Sequence, residues 1–99
     1  MTGISDYLRS IYAQEIIDNT ALMLISTDMG DYPFPDVSIE QTDIGTVQLD
    51  TIVTGIPDGA LISSISAVDS NDNVLVSLEY VPAIEKQYAD FTISLVVNI

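Results

Sequence analysis

The stretch Asp69-Ser70-Asn71-Asp72-Asn73 places oxygen-bearing side chains at its first, third and fifth positions, the opening spacing of a calcium loop. A full loop of that kind also needs a glycine where Val74 stands and a bidentate acid where Tyr80 stands. Asp69, Asn71 and Asn73 therefore read as a hairpin turn, with a weak ion site as the alternative. Paired carboxylates for acid and base chemistry can be drawn from turn regions, as Asp28 with Asp31 or Asp58 with Asp69, but nothing in the spacing sets their separation. The hydroxyls of Ser63, Ser64 and Ser66 have only Lys86 as an amine base, because the chain contains no His and no Cys. The same lack removes a thiolate nucleophile, a disulfide framework and the usual zinc ligands. Gly55 to Gly59 is no phosphate loop, since the required lysine is missing. No catalytic residue, metal centre or cofactor is implied, and the expectation is a protein that is not an enzyme.

Fifteen acids against Arg9 and Lys86 leave a formal charge of −13 in 99 residues. Direct nucleic-acid binding and a membrane-surface anchor both call for clustered Lys or Arg, so neither is expected. The acids are dispersed among apolar residues, which make up 47% of the chain, and this favours a folded domain with a charged surface. No run has the length and apolarity of a spanning helix, and Met1 to Asp6 lacks the pattern of a secretory signal. A cytoplasmic protein, or a virion component assembled in the host cytoplasm, fits these constraints. The charge also supports another reading, in which carboxylates spaced like phosphates occupy the groove of a basic nucleic-acid-binding protein.

The elements that would position these groups follow from periodicity. Ile4, Leu8, Ile11, Tyr12 and Ile16 recur at helical spacing, predicting a helix over residues 4–19 capped by Thr2 or Ser5. Its apolar stripe would need one face of the sheet or a neighbouring subunit as cover. Residues 20–99 are strand-rich. Ala21 to Ile25 reads as a buried strand, Asp31 to Asp36 with its two prolines as a loop exposing Tyr32 and Phe34, and Val37 to Gln41 as a short strand. Thr42 to Gly45 reads as a turn or bulge. Thr46 to Thr54 puts Val47, Leu49, Thr51 and Val53 on one face. Ala60 to Val68 puts Leu61, Ile65 and Ala67 together opposite Ile62, Ser64 and Ser66, and then turns into a strand with Val74, Val76, Leu78 and Tyr80 aligned. A polar connection, Ala83 to Ala89, leads to a last strand with Phe91, Ile93, Leu95, Val97 and Ile99 inward. The expected fold is mainly β with one N-terminal helix, as a small antiparallel sheet or β-sandwich, with a compact α+β fold as the alternative. One domain, 1–99, with five or six strands is expected at this length.

Residues 60–99 carry a further pattern: Ala60 to Val68, the turn Asp69-Ser70-Asn71-Asp72-Asn73, Val74-Leu75-Val76, then Pro82-Ala83-Ile84-Glu85-Lys86 and Asp90-Phe91-Thr92-Ile93-Ser94-Leu95. It resembles the N-terminal collar or attachment domains of phage tail-fibre and baseplate-associated proteins, with Asp69, Asn73, Lys86 and Asp90 as the matching positions. A fibre would continue into a shaft and a tip, and here the sequence stops at Ile99. The resemblance implies a short structural, adaptor or attachment subunit on a phage particle or tail, forming a homo-oligomer and touching other virion proteins. The residues that would make subunit contacts are Leu8, Ile11, Tyr12 and Ile16 on the helix and Tyr32 and Phe34 in the loop.

Overall fold

The computed structural model describes residues 5–87 and 90–99. Ser5 opens the helix α1 (Asp6–Asn19) as its N-cap, its hydroxyl accepting from the backbone N–H of Leu8 at 3.3 Å, and Asp6 adds a negative charge in the first turn. Thr20 closes it by donating to the Ile16 carbonyl oxygen from both its backbone N–H and its hydroxyl. The helix thus starts two residues later than the apolar spacing alone suggests, and Thr2 and Ile4 lie outside the described residues.

Seven strands follow: β1 (Leu22–Thr27), β2 (Gly30–Phe34), β3 (Ser38–Asp43), β4 (Thr46–Val53), β5 (Leu61–Val68), β6 (Val74–Glu85) and β7 (Phe91–Asn98). They form two antiparallel sheets, one ordered β2-β1-β5-β6 and the other β3-β4-β7. The protein is mainly β with one N-terminal helix. Their inner faces share one apolar cluster, with Met23, Ile25, Ile62, Ile65 and Ala67 from the first sheet against Val47, Leu49, Val53, Ile93 and Leu95 from the second. Ala13 and Ile16 bring α1 onto that cluster, and fully burying each large aliphatic side chain contributes about 1.5–3 kcal/mol. β4 shows the expected alternation, with Val47, Leu49, Thr51 and Val53 buried. On β7, Ile93 and Leu95 are buried while Phe91, Val97 and, just past the strand, Ile99 pack partly against the core.

Several segments depart from the expected pattern. Asp31 to Phe34 is not a loop: it belongs to β2, where Leu24 faces Pro33. Because β2 is an edge strand, a residue with no N–H fits there without breaking a ladder on both sides. In β5 the predicted phase fails at its start. Ser63 is passed over in the pairing with both β1 and β6, so Ile62 turns inward to join Ile65, and Leu61 is left 43% exposed. A similar irregularity at Leu75 sends Val74 away from the face of Val76 and Leu78. Finally, Ala83 to Glu85 is not a polar connection but the end of β6, where Ile84 pairs with Ile62 and Glu85 with Leu61. The register steps from Ser64/Glu79 to Ile62/Ile84, so the extra residues around Val81 and Pro82 bulge out and let pairing resume. Tyr88 and Ala89, at the end of that predicted connection, lie outside the described residues.

Candidate functional site

The turn that suggested an ion site is held by its own hydrogen bonds. One Asp69 carboxylate oxygen accepts from the backbone N–H groups of Asn71 and Asn73 at 2.8 and 2.9 Å, and the other accepts from the Asn73 amide at 3.1 Å. These bonds, chiefly the one from the Asn73 backbone, hold the carboxyl below its ordinary pKa. Asp72 takes the left-handed conformation, φ 64°, that the tight connection demands. Asp69, Asn71 and Asn73 together therefore build the β5–β6 hairpin. Among the described residues, no group of three or more acids gathers as a metal site.

Of the proposed carboxylate pairs, Asp28, Asp58 and Asp69 each have partners of their own. Asp28 accepts from the Leu61 backbone N–H at 2.8 Å and ties the β1–β2 turn to the start of β5. Asp58 accepts from the Lys86 ammonium at 3.0 Å, in a pair whose lysine side chain is 4% exposed and whose aspartate is 44% exposed. Asp58 and Asp69 flank opposite ends of the eight-residue β5, separated by roughly 26 Å of strand. Lys86 sits in the turn region by backbone bonds to Gly59 and Ala60, away from a free role as a base for the β5 serines.

The six apolar contact candidates divide into two groups. On α1, Ile16 is 8% exposed and belongs to the core, whereas Tyr7 (74%), Leu8 (42%), Ile11 (37%) and Tyr12 (48%) stand out to solvent. The core-facing line of α1 runs through Arg9, Ala13, Ile16 and Ile17, so the expected stripe is split between two faces. Tyr32 and Phe34 are partly buried on β2 and packed against the core, at the edge of the first sheet opposite β6. They border an open depression of about 580 Å³ with Pro33, Pro35, Asp36 and Ile52. The structure does not bring them to the helix face.

A second, more apolar groove of about 340 Å³ lies beside that face, lined by Tyr12, Glu15, Ile16 and Asn19 of α1, Leu75 and Val76 of β6, and Val97 and Ile99. Arg9 fixes the helix there. Its Nε donates to the Ile99 carbonyl oxygen at 2.7 Å, its Nη1 meets Asp6 at 3.1 Å, and its guanidinium lies over Gly45, where an added Cβ would come within 2.6 Å of it. The Ile99 N–H donates to the Gly45 carbonyl oxygen at 2.7 Å and completes the clasp. Sequence reasoning missed this clasp and the Lys86–Asp58 pair because no local spacing links residues so far apart in the chain. The only available signal was that Arg9 and Lys86 are the chain's sole cations.

Comparison with protein-family models, with curated proteins and with solved structures gives no match.

Proposed function

We propose that the protein is a nonenzymatic structural or adaptor subunit of a phage particle or tail, assembled in the host cytoplasm. The observation that carries this reading is the outward face of α1, where Tyr7, Leu8, Ile11 and Tyr12 present two aromatic rings and two aliphatic side chains on one short helix. Tyrosines of this kind supply much of the contact area in protein interfaces. The helix that carries this face is held on the protein by the Arg9 clasp. The resemblance of residues 60–99 to attachment domains supplies the particle setting.

Self-association must overcome 13 uncompensated charges on each copy, so it strengthens as salt screens the repulsion. The test is absolute mass by light scattering at about 50 and 500 mM salt. A defined ring or trimer, favoured by salt and lost in Leu8→Glu and Tyr12→Glu, is the expected result. A monomer at both salts overturns self-assembly. Binding of a basic nucleic-acid-binding protein by that monomer would establish the acidic-mimic reading in its place.

A further inference from the structure

The two sheets are unequal in width. The first has four strands and the second three, and the β2 end of the first is covered, since Tyr32 and Phe34 pack on the core. The β6 end is not. Residues directly opposite each other in an antiparallel pair point to the same face. Leu78 is opposite Ile65, and Ile84 opposite Ile62; both β5 partners are fully buried, yet Leu78 is 41% exposed and Ile84 44% exposed. The core-side line of β6 therefore overhangs the second sheet by about one strand spacing, roughly 4.8 Å. Under the overhang, β7 pairs with β4 along one edge only, and its other edge is open among the described residues.

We propose that this space is a strand-accepting slot, filled by an extended segment of a partner protein with alternating apolar residues and basic flanks. Such a strand would pair with the open edge of β7, widen the second sheet to four strands, and cover Leu78 and Ile84 with its inward side chains. The apolar groove lined by Leu75, Val76 and Val97 lies between the same two strands. The slot's walls carry no acidic or basic side chain: Phe91 to Asn98 contains none, and the β6 residues on the core side are Val76, Leu78, Tyr80 and Ile84. Its ends are acidic, with exposed Glu85 and Asp90 at one and Glu15 and Asp72 at the other. Both cations of the chain are already engaged, so these carboxylates are left for a cationic partner. A second copy does not suit the slot, because its β7 would bring its own overhanging β6 into the layer β6 already occupies.

The inference goes beyond self-assembly, which uses the outward face of α1, and its test does not depend on oligomeric state. The probe is a short, end-blocked synthetic peptide alternating valine and threonine between terminal lysines, titrated into the full chain while backbone amide and methyl resonances are followed. The expected result is saturable shifts at Phe91 to Asn98 and at the Leu78 and Ile84 methyls. Binding should weaken roughly tenfold with glutamates in place of the lysines and fall with added salt. Leu78→Glu, at a half-exposed site that leaves the core intact, should abolish it. No shifts at millimolar peptide, shifts confined to β2 or α1, or equal binding by the glutamate-ended peptide would overturn the slot. None of these outcomes bears on the mass measurement, so the two readings fail separately.

Discussion

β4 and β6 are written in nearly the same alphabet of alternating apolar residues and end in opposite environments. β4 is central in its sheet and faces a full opposing layer, and four of its eight residues are buried. β6 is half as long again, and none of its twelve residues is. Alternation specifies which way a side chain points, but burial also requires something on the far side. Apolar residues that face the core line and still meet water are surface that a partner can cover.

The sharpest way to break the comparison is to shorten one equivalent side chain in each strand. Leu49→Ala, at a fully buried site in β4, should cost about 3 kcal/mol in urea denaturation, through lost transfer energy and the cavity left behind. Leu78→Ala on β6 should cost less than about 1 kcal/mol, because its exposed half makes no contacts to lose. Equal costs would mean that β6 is covered, and the overhang would have to be abandoned.

The Lys86–Asp58 pair sharpens the same contrast between covered and uncovered groups. Its lysine is buried and its aspartate is not, so the two truncations should differ. Asp58→Asn strands a buried ammonium and should cost about 1–2 kcal/mol, discounted because Asp58 is partly screened by solvent. Lys86→Met removes the buried charge, keeps the apolar stem, and leaves an aspartate that water can solvate. It should come out near neutral in the same denaturation assay. The reverse order would show that the pair's worth lies in the aspartate.

Gly45→Ala comes next, at about 1 kcal/mol, because the new methyl would displace the Arg9 guanidinium from its place over the turn. In the Arg9→Ala background that cost should vanish. A double-mutant cycle by thermal denaturation checks it, and additive losses would show that the clasp plays no part.

Much of this fold was legible in the chain because the signals were local. The period of Thr46 to Val53, the four asparagine and aspartate side chains of the β5–β6 turn and the in-phase apolar residues from Phe91 to Ile99 each follow from neighbours a few positions away. What was hidden depended on distant partners. Nothing beside Ser63 announces that two adjacent strands will both skip it, and the prolines around Phe34 suggest a loop unless the strand is known to lie at an edge. The split of the helix stripe was equally invisible: Tyr12 and Ile16 are one turn apart, and only the position of the sheets decides which is covered. Of the candidate site, the outward residues Leu8, Ile11 and Tyr12 could be named from spacing. The overhang could not, because it comes from unequal strand counts in two sheets.

The smallest effect is expected where both groups are already exposed, at the β5–β6 turn. Asp69 is held below its ordinary pKa by the backbone and side-chain donors of Asn73 and by the Asn71 N–H. A carboxyl whose folded pKa is depressed stabilises the fold above its unfolded pKa, and that contribution is lost as pH falls through the folded value. The wild-type denaturation midpoint should therefore drop below about pH 4 more steeply than that of Asp69→Asn, which cannot ionise. Because the variant keeps an acceptor oxygen at the same place, the two should differ in slope more than in fold or hairpin register. If the slopes coincide, the Asx turn forms as readily in the unfolded chain, and the hairpin is set by the pairing of Val68 with Val74 rather than by its turn.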